Sequence, residues 1–149
     1  MMQQQGLIEL MQKLRGENPK FFFEIETNGT YVPATALNFF ANQYNVSPKL
    51  ANSGNPEKLR DKKAAMQFFS KSEKANFKFV INSPDDLEEV FFLMKKYNLS
   101  PEKTFLMPEG TTPESLAKRR EWLVEICKKH QFNYTDRLHI QIYGPKKGV

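Results

Sequence analysis

The chain has 149 residues, of which 40% are hydrophobic and 26% charged, a composition typical of one globular domain and not of a disordered segment. Its net charge of +5 is compatible with an anionic partner, but the 22 basic residues are interleaved with 17 acidic ones, which argues against direct nucleic-acid binding. A single cysteine excludes an internal disulfide and favours a reducing cytoplasm, and no apolar run approaches the roughly 20 residues that cross a bilayer.

The first half of the chain alternates between helical and strand patterns. An opening helix is predicted to end at Gly16, with apolar residues on one face: Leu7, Ile8, Leu10, Met11 and Leu14. The run FFFEIE predicts a buried strand that ends at the turn formers Asn28 and Gly29. A helix around ALNFFANQ and a short strand at QYNVS follow. The polar stretch LANSGNPEKLRDKK is then predicted to be a loop that leads into a helix carrying Met66, Phe68 and Phe69.

The second half continues the alternation, with strands predicted at NFKFVIN, KTFLMPEG and RLHIQIYG. The helix after NFKFVIN is predicted to start at a Ser83 cap followed by Pro84, with Asp86 as the capping-box acid. Its predicted buried stripe is Leu87, Val90, Phe91, Met94 and Tyr97. Thr112 and Pro113 are predicted to open the next helix, whose buried side carries Leu116, Leu123 and Cys127.

Strands separated by helices, several of them nearly continuous in apolar residues, predict an α/β fold with a mostly parallel sheet of about five strands. Such sheets bind ligands at the carboxyl ends of their strands. Polar motifs follow three of the predicted strands: Glu26, Thr27, Asn28 and Gly29; Ser47, Pro48 and Lys49; and Met107, Pro108, Glu109 and Gly110. Each motif alone is more commonly a turn, but three at one edge of the sheet favour a ligand pocket.

The motifs ETNGT, SPKL, FKFV before an acidic helix, MPEG, and the ending YTDRLHIQIYGPKKGV occur in this order. Together they resemble 7-carboxy-7-deazaguanine synthase, a radical S-adenosylmethionine enzyme of queuosine and related deazapurine biosynthesis. The resemblance covers essentially the whole chain. It implies a partial α/β barrel with helices on the outer face, and a homodimer. It also implies conversion of 6-carboxy-5,6,7,8-tetrahydropterin to 7-carboxy-7-deazaguanine with S-adenosylmethionine, a [4Fe-4S] cluster and Mg²⁺.

The resemblance assigns roles to residues of this chain. It implies S-adenosylmethionine binding by two of the motifs: Ser47, Pro48 and Lys49, and Met107, Pro108, Glu109 and Gly110. The turn motif Glu26, Thr27, Asn28 and Gly29 would line the same cavity. The carboxylate of Val149 is a candidate contact to the pterin substrate, although composition alone would favour a solvated tail beside Lys146 and Lys147.

Several family features are absent from the 149 residues: the CxxxCxxC cluster loop, the GGEP turn, the front substrate contacts and the threonine that ligates Mg²⁺. We therefore assign no catalytic residue and no metal ligand. We interpret 1–149 as one domain, an incomplete radical S-adenosylmethionine core that lacks the first two strands of the family fold and is inactive alone. We favour a fragment of a longer protein over one half of a split enzyme or a domain that has lost catalysis.

Two other classes of protein stay open at this point. A non-catalytic binding module for RNA or a partner protein is suggested by the basic surface, in particular Lys118, Arg119 and Arg120. A hydrolase that uses Cys127 and His130 is suggested by their spacing of three residues on a helix, which places them on one face. The sequence shows no oxyanion turn and no third partner for that pair.

Overall fold

The computed structural model describes residues 3–146 and contains a five-stranded sheet. The strands lie in the order in which they follow along the chain, and every neighbouring pair is parallel. They are β1 (Glu24–Thr27), β2 (Gln43–Val46), β3 (Ala75–Ile81), β4 (Thr104–Pro108) and β5 (Asn133–Tyr134). The predicted α/β fold with a parallel sheet is therefore confirmed, and its sequential strand order is that of a partial barrel.

Seven α-helices precede, connect and follow the strands in the described part of the chain. They are α1 (Gln4–Glu17), α2 (Thr35–Phe40), α3 (Glu57–Arg60), α4 (Lys63–Ser70), α5 (Asp86–Tyr97), α6 (Pro113–His130) and α7 (Leu138–Tyr143). Parallel strands joined in sequential order by right-handed crossovers put their connecting helices on the same face of the sheet. No helix within residues 3–146 is long and apolar enough to cross a membrane.

The two faces of the sheet differ in chemistry. Along β3 the side chains alternate strictly between buried and half-buried positions, and β2 and β4 repeat this pattern. The buried face packs against the helices and forms the core, in which Tyr44, Phe79 and Leu106 are fully enclosed. The opposite face carries mainly polar side chains, so the period-two pattern separates the core from a second surface that is free to bind a ligand.

The long helix α6 follows its sequence signals closely. Thr112 caps it by accepting a hydrogen bond from the Ser115 N–H at 3.2 Å, and the Ser115 hydroxyl accepts one from the Thr112 N–H at 3.1 Å. Leu116, Leu123 and Cys127 are buried on its inner side, as predicted.

The start of α5 differs from the prediction. The helix begins at Asp86, and Ser83 makes no side-chain cap. Asp86 instead accepts hydrogen bonds from the N–H groups of Asn82 and Ser83, at 2.7 and 3.0 Å. Only this half of the predicted capping box forms, because Pro84 and Asp85 lie in a turn before the first helical residue. The buried stripe also uses Leu93 in place of Phe91, which is 38% exposed.

The prediction of a last strand at RLHIQIYG is wrong. The strand lies earlier, at Asn133–Tyr134, and Leu138–Tyr143 form α7. The hydrogen bond from the Thr135 N–H to the Leu106 carbonyl is the last that β5 makes with β4, and the chain then leaves the sheet. The alternating apolar residues of this segment are typical of a strand, but in this short helix only Ile140 is buried, while Leu138 and Ile142 are 65% and 59% exposed.

Two predictions near the amino end are also corrected. Helix α1 continues through Gly16 to Glu17, since a helix tolerates a glycine near its end, and Leu10 on the predicted apolar face is 52% exposed. The strand predicted from Phe21 begins only at Glu24. Phe21 and Phe22 precede it and are 42% and 63% exposed, so their apolar character did not indicate burial.

Candidate functional site

A cavity of about 680 Å³ opens at the carboxyl edge of the sheet, on its polar face. All five strands or the loops that follow them contribute to its wall. The lining residues are Glu26, Thr27, Asn28, Ser47, Lys49, Lys78, Val80, Met107, Thr135, Asp136, Arg137 and His139. The carboxyl ends of parallel strands thus meet at the one edge where the sequence predicted a ligand pocket.

The polar face below this cavity is a network of carboxylates and amides. Asn45 donates to Glu26 at 3.1 Å and also to Glu24, and Gln43 donates to Asn45 at 3.0 Å. The Lys78 ammonium pairs with Glu26 at 3.4 Å. Glu26 and Asn45 face each other in the register of β1 and β2, so the sheet itself aligns these groups. A polar interior of this kind suits a ligand that makes several hydrogen bonds.

The turn after β1 is held by its own side chains. Thr27 Oγ1 accepts a hydrogen bond from the Gly29 N–H at 3.2 Å, and Asn28 Oδ1 accepts from the Thr30 N–H and hydroxyl. Gly29 has φ +74° and packs against the core instead of lining the cavity. Glu26, Thr27 and Asn28 contribute to the cavity wall, and Gly29 does not.

The segment after β2 separates the first cavity from a second one of about 430 Å³. Ser47 donates from its hydroxyl to the Lys78 carbonyl at 3.1 Å and so stays at the end of β2. Lys49 lines both cavities, whereas Pro48 lines only the second. Val80 and Arg137 are the other residues that the two cavities share, so this loop forms part of a divider between them.

One salt bridge and several hydrogen bonds that involve α5 fix this loop. Arg60 pairs with Glu89 and donates to the carbonyl of Lys49 at 3.1 Å. Glu89 also accepts a hydrogen bond from the Ala51 N–H at 2.7 Å. Asn52 bridges the Val80 carbonyl and Asp86 at 3.1 and 2.8 Å. The backbone that carries Lys49 is therefore tied to the helix that follows β3.

Two residues of the motif at the end of β4 line cavities, and the other two pack against the core or α6. Met107 lines the first cavity and Glu109 the second, while Pro108 is buried on the helix-facing side of the sheet. Gly110 packs so tightly that a Cβ there would lie 2.5 Å from Ser115 Oγ and 2.8 Å from Leu116 Cδ2. Gly110 thus allows the loop to approach α6 and does not line either cavity.

Sequence reasoning missed several lining residues, of which Lys78, Asp136 and Arg137 carry charge. A signal for Lys78 was present, since it is the only charged residue in the apolar run NFKFVIN and its neighbours alternate into the core. Asp136 and Arg137 were missed because the last strand was predicted too late. The true β5 ends just before Thr135, which places TDR at the carboxyl edge.

Most acidic residues around the two cavities already have cationic partners. Glu26 pairs with Lys78, Asp136 with Arg120 at 3.0 Å, and Glu109 with Arg119 at 3.8 Å. Two of the three residues in the basic run 118–120 are therefore engaged within the chain, which does not favour that run as a nucleic-acid surface. Val149, predicted to contact substrate, lies outside the described residues.

Cys127 and His130 do not form a reactive pair. Burial raises the pKa of the Cys127 thiol to about 11, and its Sγ donates weakly to the Asn133 carbonyl at 3.5 Å. His130 instead packs beside Phe91 and Phe132, with ring centroids 4.8 and 5.7 Å away. A buried thiol held protonated is not a nucleophile.

Within residues 3–146, no three His, Cys, Asp or Glu side chains cluster as metal ligands.

The fold and this cavity define a parallel α/β domain of partial-barrel type with a polar cavity at the carboxyl edge of its sheet. No protein-family model matches the chain. Among curated proteins, a 7-carboxy-7-deazaguanine synthase of Pyrobaculum aerophilum is 37% identical over 148 residues, which are 98% of this chain and 62% of that protein. Proteins of the same name from Rhodopirellula baltica and Halobacterium salinarum are 27% and 28% identical, over 97% and 80% of this chain.

The chain thus resembles part of 7-carboxy-7-deazaguanine synthases, and the resemblance inferred from its motifs is confirmed. It spans about three fifths of the length of the first two relatives and about half of the third, with covered shares of 62%, 58% and 53%.

Proposed function

We propose that the cavity at the carboxyl edge binds S-adenosylmethionine and that the chain is the cofactor-binding part of a radical S-adenosylmethionine lyase. The reaction would be conversion of 6-carboxy-5,6,7,8-tetrahydropterin to 7-carboxy-7-deazaguanine, for queuosine or a related deazapurine. The observation that carries this proposal is the convergence of three motifs on one cavity. Residues from ETNG, SPK and MPEG all contribute to its wall in a chain that resembles the synthases.

The cavity fits S-adenosylmethionine in size and chemistry. Its volume of about 680 Å³ lies within the range of small-molecule sites, which runs from roughly 300 to 1,000 Å³. Ser47, Lys49 and Asn28 offer polar contacts, and the half-buried Met107 offers an apolar one. S-adenosylmethionine supplies the radical-forming group in this class of chemistry, and the residues of this chain would bind it and orient it on the polar face.

The chain does not fit a [4Fe-4S] cluster. Such clusters are held by several Cys thiolates, and the only cysteine is buried with a raised pKa, away from the cavity. The cluster would therefore be contributed by polypeptide beyond these 149 residues, either in a longer form of the chain or in a partner, and the resemblance implies the same for the threonine that ligates Mg²⁺. We propose a cytoplasmic assembly, dimeric as the resemblance implies, and assign no cluster chemistry to the residues present.

A binding measurement tests this proposal. Isothermal titration calorimetry of the 149-residue chain with S-adenosylmethionine should detect one site. Met107→Trp should weaken binding at least tenfold, because the larger side chain fills the cavity. Phe105→Trp is the matched control, since Phe105 lies on the same face of β4 two residues nearer its amino end and lines a different pocket. Absence of binding to the wild-type chain, or equal binding by both variants with unchanged melting temperatures, would refute the proposal.

A further inference from the structure

Arg137 occupies an unusual position at the junction of the two cavities. It directly precedes α7 and lines both the first and the second cavity. Its Nε is buried and has no hydrogen-bond acceptor among the described residues. A buried donor without an acceptor costs free energy, and a guanidinium more than a neutral group. Arg137 thus brings an incompletely paired guanidinium to the wall that the two cavities share.

The charges around Arg137 also favour binding of an anion. Its nearest acid in the chain, Asp136, is already paired with Arg120 and accepts a hydrogen bond from the Arg137 backbone N–H at 2.8 Å. Glu109 and Glu26 are paired with other cations. Within residues 3–146, neither Arg137 nor Lys49 forms a salt bridge, although both line both cavities. The divider between the cavities therefore carries two positive charges with no described counter-charge.

We propose that Arg137, assisted by Lys49, is an anion site that binds a carboxylate group of the ligand at this divider. A guanidinium presents parallel donors that match the two oxygens of a carboxylate, and such charge-assisted pairs are short and strong. The inference deepens the proposed function, on which the identity of the ligand rests. The carboxylate would be that of the methionine moiety of S-adenosylmethionine. A free oxyanion such as inorganic phosphate shares the chemistry and provides an independent probe.

The main experiment compares S-adenosylmethionine with 5′-methylthioadenosine, which lacks the amino-acid carboxylate. Arg137→Gln should weaken binding of S-adenosylmethionine by about 10- to 100-fold, the range expected when a hydrogen-bonded charge pair is lost. Binding of 5′-methylthioadenosine should stay unchanged. Arg137→Lys keeps the positive charge but removes the parallel donors of the guanidinium, and it should give an intermediate loss of affinity for S-adenosylmethionine. Lys118→Gln, an exposed change on α6 with the same effect on net charge, should alter neither affinity.

Two results would overturn the anion site. Arg137→Gln could leave the affinity for S-adenosylmethionine unchanged, or it could weaken both ligands equally, which would indicate a general structural effect. The failure of the proposed function is separately visible. If neither ligand binds the wild-type chain, titration with inorganic phosphate at constant ionic strength decides the matter. Phosphate-induced shifts of the Arg137 Nε–H resonance in NMR spectra would support the anion site without the cofactor, and an unmoved resonance would refute it.

Discussion

At the scale of single residues, glycines set how closely the loops of the site approach the core. Gly29 ends the turn after β1 with φ +74°, in the left-handed region that favours glycine. A Cβ at this position would lie 2.9 Å from Val46 Cγ1 and 3.3 Å from Met66 Sδ. Gly54 has nearly the same φ, +73°, but a Cβ there would meet no atom within 4 Å. A substitution at Gly54 therefore introduces backbone strain alone, whereas one at Gly29 adds steric crowding to the same strain.

We expect Gly54→Ala to destabilise the fold by about 1 kcal/mol, the cost of a side chain in left-handed backbone. Gly29→Ala should cost roughly 1–3 kcal/mol more, because Val46 is fully buried and cannot move aside freely. Chemical denaturation of the two variants and the wild-type chain measures the difference. Equal losses at both positions would contradict the assignment of Gly29 as a close-packing glycine.

At the scale of helices and strands, the sequence predicts correctly those elements whose position depends on residues close together in the chain. The strand β3 and the Thr112–Pro113 start of α6 are both predicted correctly, because each depends on neighbouring residues. The segment from Arg137 to Tyr143 was predicted wrongly. Its alternating apolar residues fit a strand, and only the pairing of Phe105 with Asn133 across the sheet shows that the strand ends earlier. Because the last strand is predicted too late, the sequence does not identify Arg137 as a cavity residue. The strand-end motifs do predict the location of the cavity.

The loop after β2 keeps its form through the pair of Arg60 and Glu89, in which the side chains are only 10% and 22% exposed. We expect Glu89→Gln to destabilise the chain by roughly 1–3 kcal/mol, because it leaves a half-buried guanidinium with a weaker acceptor. Hydrogen exchange of the Ala51 amide, which donates to Glu89 at 2.7 Å, should accelerate. These effects would connect α5 to the position of Lys49.

Glu125→Gln is the matched control for that experiment. Glu125 pairs with Lys128 at 2.8 Å, but both side chains are more than 60% exposed, so the change should stay within about 0.5 kcal/mol. Unaltered exchange at Ala51 in Glu89→Gln would show that the loop is held by its other contacts, such as those of Asn52.

At the scale of the whole molecule, the described chain combines a helix-facing core with an open polar face. The largest side chains of the core are enclosed by the sheet and the helices. The polar face carries the cavity and the groups proposed to bind S-adenosylmethionine. Under the proposed function, binding of S-adenosylmethionine and cluster chemistry depend on different residues, because the one cysteine of the 149 residues does not fit a cluster.

This separation predicts that the 149-residue chain binds S-adenosylmethionine but does not convert 6-carboxy-5,6,7,8-tetrahydropterin. One buried cysteine cannot hold an iron–sulfur cluster, and without that electron donor the cofactor is not cleaved reductively. After anaerobic treatment with iron, sulfide and reductant, the desalted chain should contain no bound cluster by metal analysis. Mass spectrometry should detect neither 5′-deoxyadenosine nor 7-carboxy-7-deazaguanine. Cys127→Ala should give the same negative result, whereas turnover by the wild-type chain would show that these residues hold a redox centre in an arrangement different from the one described.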